Sequence, residues 1–322
     1  MVPLCPARTL EPYSESLIET VLPVYPGYVR RAVTLSYDDG SQQDQRLAEL
    51  FEKYGFTATF NIVPSWVGDS IHLTADQMKE VYQRHEVANH TYSHKTIYLS
   101  EGQIAYDSKG NPLCGVSFSD AIAEINNSKE WLESTFGTTV KGLVWPNKHP
   151  SRETRMDFEQ LMAAVGEGHS YTRWDDVTGA FELPDNWLQW RPTCHHSNMQ
   201  QYTKEFLNLE NGGEMQFYFI WGHSYEFDQS GATVTWEVLE EQLTKLVAAD
   251  IWKASNGQVY DYVSAVRQLN RQGNILRNPS DQTVYLYVNG QMIEIQPGDS
   301  YRYGDSSETE TIACWGDSLT YS

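Results

Sequence analysis

The chain has 322 residues, 40% of them hydrophobic, which is enough for one large domain or one domain with a small appendage. Its 23 basic and 43 acidic residues give a net charge of −20, which opposes binding to DNA, RNA or anionic membranes. No run approaches the roughly 18 apolar residues of a membrane span, and Cys5, Cys114, Cys194 and Cys314 are scattered with no Cys-x-x-Cys pair, so neither membrane insertion nor a zinc-finger or disulfide scaffold is expected.

Residues 1–30 read as an irregular, Pro-rich segment. Their start, MVPLCPARTLEPYSES, lacks a basic stretch followed by an apolar run, so no signal peptide is expected and the location stays open. AVTLSY (32–37) reads as a buried strand ended by Asp38-Asp39-Gly40. DQRLAELFEKYG (44–55) reads as an amphipathic helix closed by Gly55, and TATFNIV (57–63) as a strand stopped by Pro64. TADQMKEVYQRH (74–85) is a helix with Thr74 as N-cap, and EVANH (86–90) a short strand. Helix 119–137, strand 140–146, helix 153–166, the strongly apolar strand 214–222 and helices 236–248 and 258–270 follow. Alternating strands and helices predict parallel strands with crossover helices, closed as a barrel or open as a doubly wound sheet. After residue 274, alternation in QTVYLYVNGQMIEIQPGDSYRY and an Asn289-Gly290 hairpin signal predict a small β appendage over 275–305.

The ionisable motifs fall at strand ends. Asp38 and Asp39 follow the first strand, His90 and His94 follow 86–90, and His223 follows 214–222. In parallel β/α architectures those ends share one face, where active sites sit. Alone, the pair His90/His94 fits two surface histidines as well as two metal ligands, and Asp38-Asp39-Gly40 fits a plain turn. Together they offer two imidazoles and a carboxylate for a cation, a second carboxylate as base and a further histidine as acid.

These residues resemble the NodB-like polysaccharide deacetylases. TLSYDDG (34–40) is similar to the first motif of that family, HTYSH (90–94) to the second, and IWGHSYEFD (220–228) to the motif of its last histidine; the likeness spans about 30–270. It implies an α/β fold, a distorted (β/α)7-type barrel. It implies a divalent metal, usually Zn2+, on Asp39, His90 and His94, with Asp38 as catalytic base and His223 as catalytic acid. Water activated at the metal would attack an acetyl carbonyl of a sugar.

The chain departs from the family at its third motif, usually Arg-x-Pro-Tyr/Phe, where Val144-Trp145-Pro146-Asn147 stands. The family's arginine holds the base, and Arg191 is a candidate substitute. The N–H of Asn147 keeps the oxyanion contact, and Trp145 lies beside it. DNWLQWRPTCHH (185–196) sits where the fourth motif would fall. Trp187, Trp190, Arg191 and His195 there read either as a sugar-stacking wall with polar contacts or as a loop packed by its tryptophans. His195 is also open as a further metal ligand, and Glu226 as a partner for His223. In the tail, 306–322, GDSLT resembles the nucleophile block of GDSL/SGNH hydrolases, with Ser318 as the serine; without a base it is an ordinary hydroxyl.

The sequence therefore predicts an irregular start (1–30), a deacetylase domain (31–274), the β appendage (275–305) and the tail. The expected function is metal-dependent removal of acetyl groups from an acetylated polysaccharide, de-N-acetylation of an amino sugar foremost. An O-acetyl esterase acting on acetylated xylan and a non-catalytic glycan-binding module are the alternatives. A two-carboxylate glycosidase is disfavoured, because adjacent Asp38 and Asp39 cannot flank a glycosidic bond.

Overall fold

The computed structural model describes residues 20–210 and 214–304; the expectations for Ser318, Cys5 and Cys314 lie outside them. Eight strands form one sheet: β1 (Arg31–Asp39), β2 (Thr59–Ile62), β3 (Glu86–Asn89), β4 (Gly142–Val144), β5 (Tyr171–Arg173), β6 (Cys194–His195), β7 (Gln216–His223) and β8 (Trp252–Lys253). Their order is β6-β7-β1-β2-β3-β4-β5, with β8 also on β1, and every pairing is parallel. The segment after β5 reaches across to the far edge. Trp190 bridges Arg173, and Thr193 N donates to Phe219 O of β7 at 2.8 Å. The curled sheet is thus the distorted β/α barrel the sequence predicts.

Seven helices cover it: α1 (Asp44–Lys53), α2 (Ala75–Val81), α3 (Phe118–Phe136), α4 (Phe158–Gly168), α5 (Met199–Leu207), α6 (Trp236–Val247) and α7 (Asn256–Arg267). Their ends follow local chemistry. Thr74 and Gln77 form a capping box on α2, as Ser255 and Gln258 do on α7, and Gly137 ends α3 in the left-handed conformation. α1 buries Leu47, Ala48 and Phe51 in the cluster that holds Val33, Leu35 and Tyr37 of β1. The apolar core therefore lies between sheet and helices.

The inner face of the sheet joins an apolar cluster of Ala32, Tyr171, Trp190, Phe217 and Phe219 to a row of buried polar groups. On β1 the residues between Val33, Leu35 and Tyr37 are Thr34, Ser36 and Asp38, all buried. Thr34 Oγ1 donates to Asn256 Oδ1 at 2.7 Å, and Thr59 Oγ1 and Tyr171 Oη both donate to Glu86 at 2.9 Å. These bonds offset the cost of burying polar groups.

Several short elements escape the sequence reading. β5, β6 and β8 have two or three residues, too few to show a period. α5 was not predicted either. The expected helix at 153–166 starts later, at Phe158, because Arg155 turns inward. Its guanidinium donates to the carbonyls of Ile97, Leu99 and Val116 at 2.7, 3.2 and 3.4 Å and pairs with Asp157. It thereby fastens a three-stranded insertion (Thr96–Ser100, Ile104–Tyr106, Pro112–Val116) that follows His94.

The C-terminal β strands are present. Val284–Val288 and Gln291–Ile295 pair around Asn289 (φ 50°) and Gly290 (φ 81°), the two left-handed residues of a tight hairpin. Val21–Val24, read as irregular, is a strand paired to Val284–Val288, and Leu276, Val284, Leu286 and Ile295 share a cluster with Ala265 of α7. The hairpin is thus joined to the barrel by a common core.

Replacing Arg155 by Ala leaves three buried carbonyls and Asp157 without their donor. We expect a loss of about 3 kcal/mol of stability, read as a lower urea midpoint. An unchanged midpoint would mean the insertion is held by other contacts.

Candidate active site

The first carboxylate is set by strand geometry. Asp38 follows Thr34 and Ser36 on the inner face of β1 and is 2% exposed. Its neighbour Asp39 would point away in a regular strand. Instead Asp39 takes φ 83°, followed by Gly40 at φ 77°, and its carboxylate faces the same space. Thr91 (φ 63°), His94 (φ 57°) and Asn147 (φ 61°) are left-handed too, so four of the six described non-glycine residues with positive φ lie in these motifs. Backbone strain of this kind collects at functional sites.

The site brings Asp38, Asp39, His90, His94 and His223 together. Asp39 Oδ1 lies 3.6 Å from His90 Nε2 and 3.9 Å from His94 Nε2. That oxygen is buried with no hydrogen-bond partner. His90 Nδ1 bonds to Val144 O at 2.9 Å, which leaves its Nε2 lone pair aimed at the same point. Burial, and after it His90, push His94 down to about 3, so it is neutral and free to ligate. A buried orphan oxygen facing two imidazole nitrogens is a donor set that fits a divalent cation.

Asp38 is held by an arginine that the sequence reading missed. Arg173 donates from Nη1 to Oδ1 at 2.8 Å and from Nη2 to Oδ2 at 2.6 Å, a buried bidentate pair. Asn61 Nδ2 adds a third donor at 2.7 Å. Burial alone would raise the Asp38 carboxyl, but Arg173 and then His90 hold it well below the usual carboxylate range. Burial raises Asp39, so the environment splits the pair. Arg173 is the register partner of Val144, the position where the family motif has its arginine. The guanidinium thus enters from the adjacent strand at the same height. A readable signal existed: the alternation needs a strand between 166 and 214, and Ser170-Tyr171-Thr172-Arg173 ends in the only arginine at a strand end there.

Arg191 does not take this role. It is half-exposed and pairs with Asp176 at 2.8 Å, because its chain has already left the sheet. Trp190 is 1% exposed between Phe217 and Phe219, so it has no face for a sugar. Trp145 is 2% exposed in the cluster with Leu143, Phe158 and Leu161. Trp187 packs edge-on against Trp190 and Tyr260. Tyr260 belongs to α7, which begins beneath Thr59 and Glu86 at the other end of the barrel. The tryptophans of 185–196 therefore serve packing. Asn147, three residues past the end of β4, is exposed and left-handed.

Other aromatic rings border the constellation. Trp66 stacks on His94 with centroids 4.8 Å apart, Tyr225 lies 5.1 Å from His223, and Trp221 lies 5.8 Å from His223 with Arg173 over its ring. Each stands singly in the sequence, which hides it.

His223 Nε2 is 3.9 Å from Asp38 Oδ2 and from Asp39 Oδ2. Its Nδ1 is 3.3 Å from Glu226 Oε1, out of line for a hydrogen bond. Glu226 also meets His195 at 3.1 Å and His196 at 2.7 Å. Burial lowers His223, but Glu226, Asp38 and Asp39 together carry it up to about 9. The protonated ring therefore stabilises the fold fully below about pH 6.5, and that stabilisation is lost as pH rises through about 9. In chelator-treated protein, wild type should lose on the order of 2–3 kcal/mol relative to His223→Gln across this window, read from urea midpoints at pH 6 and pH 10. Parallel pH profiles for the two proteins would contradict the shift.

The polysaccharide deacetylase family model matches residues 28–165. No curated protein matches the chain. Among solved structures, the chain is similar to an activity-restored mutant of a CE4 family pseudoenzyme from Bacillus anthracis (15% identity, 72% of this chain and 68% of that one, TM-score 0.45). It is also similar to a family 4 acetyl xylan esterase from Clostridium thermocellum in complex with cobalt (20% identity, 71% and 90%, TM-score 0.44). The CE4 domain of a multidomain xylanase from the Trinervitermes trinervoides hindgut metagenome gives 16% identity over 73% and 92%, TM-score 0.44. The matched residues 28–165 carry Asp38, Asp39, His90 and His94, and over that stretch the chain is similar to the polysaccharide deacetylases.

Proposed function

We propose that the protein is a metal-dependent hydrolase that removes acetyl groups from a polysaccharide. The observation that carries this reading is the split carboxylate pair: Asp38 clamped by Arg173, Asp39 orphaned toward His90 and His94. A divalent metal, Zn2+ foremost, held by Asp39, His90 and His94 would supply Lewis acidity toward the acyl oxygen and the attacking water. Asp38 is the base. Arg173 keeps it ionised and fixes its Oδ2 toward the space between His90 and His223, 4.0 and 3.9 Å away. The Asn147 N–H contributes to the oxyanion contact. His223, charged at neutral pH, donates its Nε2 proton to the departing amine or hydroxyl. Glu226 orients that ring. Trp66 and Tyr225 supply flat faces beside the ligand His94 and the acid His223.

De-N-acetylation of an amino sugar is the leading reaction, and O-deacetylation uses the same groups. An amine leaving group needs protonation more than an alcohol does. His223→Gln should therefore cost more on an N-acetyl substrate than on an O-acetyl ester.

The direct test is acetate release from acetylated chitin-type and xylan-type glycans by chelator-stripped protein with and without added zinc. Release that requires metal supports the reading, and its absence on every glycan with metal bound would leave a glycan-binding module. Asp38→Asn should keep bound metal and lose roughly 10²-fold or more in kcat. Arg173→Ala and Arg173→Lys should both lose about 10²-fold, since lysine cannot make the bidentate pair. Near-normal turnover in Arg173→Lys would show that charge alone suffices. His90→Ala should lose the metal; full stoichiometric retention at the Asp39 site would remove His90 from the ligand set.

A further inference from the structure

We infer that His195, His223 and Glu226, with His196 beside them, form a second divalent-cation site that turns the catalytic acid off. A single carboxylate here faces three imidazoles. His195 Nε2 lies 3.1 Å and His196 Nε2 2.7 Å from Glu226 Oε2, while His223 Nδ1 lies 3.3 Å from Oε1. Orienting one acid needs one such contact, not three. The atoms of His195, His223 and Glu226 converge closely enough to share one ion. Two or three imidazole nitrogens with one carboxylate are a donor set that zinc-class cations take.

The surroundings are built for these rings. His195 Nδ1 bonds to Ser197 Oγ at 2.9 Å, and His196 Nδ1 meets Tyr37 Oη at 3.4 Å. These contacts orient the rings, and a cation on His195 Nε2 requires Nδ1 to donate to Ser197 Oγ in place of accepting from Ser197 N, which lies 3.3 Å away. Gly222 leaves the space that His196 fills, since a Cβ there would come within 2.5 Å of the ring. His223 Nδ1 is buried and 3.3 Å from Glu226 Oε1, so it faces the cluster.

His223 belongs to both constellations. Its Nε2 faces Asp38 and Asp39 at 3.9 Å, and its Nδ1 faces Glu226. A cation on His195 Nε2, His223 Nδ1 and Glu226 displaces the Nδ1 proton to solvent. It leaves a ring that cannot carry two protons, so His223 no longer delivers one to a leaving group. Metal at low concentration fills the Asp39 site and metal in excess silences the acid. The inhibitory part rests on the role proposed for His223, whereas the binding part does not.

The test is zinc titration of the chelator-stripped full chain, with bound ions counted by native mass spectrometry and acetate release measured in parallel. Wild type should bind two ions, the second at least 10-fold more weakly. His195→Ala and Glu226→Gln should bind one, and His90→Ala should still take an ion at the second site. Excess zinc should cut wild-type acetate release about 10-fold, with no such fall in His195→Ala. His195→Gln, which keeps the volume, guards against misfolding, and thermal midpoints identify any variant that has not folded. A single ion in wild type at every zinc concentration, or two ions in both His195 variants, would overturn the site. Two ions without acetate release from any glycan would overturn the hydrolase reading and leave the site standing.

Discussion

Two carboxylates buried side by side at the end of one strand are the constraint around which this barrel is arranged. Neither can be ionised in a dry interior without compensation. Arg173 supplies it to Asp38 with a full guanidinium and two parallel hydrogen bonds. Asp39 receives only imidazoles, at distances too long for hydrogen bonds, and keeps an unpaired oxygen. That asymmetry gives different environments to two residues that are neighbours in sequence and identical in type. The polar lining beneath them, from Ser36 and Asn61 down to Glu86, continues the same solution through the barrel. A chain with net charge −20 has thus gathered much of its buried positive or protonatable character around one strand end.

The charge arrangement needs an unusual backbone. Consecutive residues of a strand look in opposite directions, so presenting Asp38 and Asp39 to one space takes a left-handed residue at Asp39. The same device recurs at Thr91 and His94, which fold the second motif back over the first, and at Asn147. Each such residue is costly on its own. Between Thr91 and His94 the backbone is held by Glu124 of α3, which accepts from Tyr92 N at 3.0 Å and from Ser93 N at 2.7 Å.

Much of this was legible in the sequence, and what was not has physical causes. β1 and β7 and the helices α1, α3 and α6 announce themselves through long apolar runs or periods, and β2 and β3 as short strands between helices, so the strand-end argument could converge Asp38, Asp39, His90, His94 and His223. β5 has three residues, and Arg173 meets Asp38 across 135 positions of chain. Nothing local marks that contact, so attention fell on Arg191, which has an arginine's charge but not its place. Trp187 and Trp190 look like a binding wall because they are clustered, yet clustered tryptophans bury one another as readily as they bind sugar. The rings that do border the site, Trp66, Trp221 and Tyr225, are single residues inside other motifs. Asp39, unlike Gly40, carries no mark of its left-handed backbone.

Val144 and Arg173 are paired across adjacent parallel strands. A guanidinium at the Val144 position would stand on the same face and at the same height of the sheet as that of Arg173. The two positions therefore form a single heritable unit, and an arginine can pass from one strand to the next through an intermediate chain that carries both. Among related barrels the two sites should covary, arginine at one and a small apolar residue at the other. Classification that reads only the linear motif would score the arginine of such chains as lost; a query written in space, with a guanidinium clamped on the first aspartate, would find it.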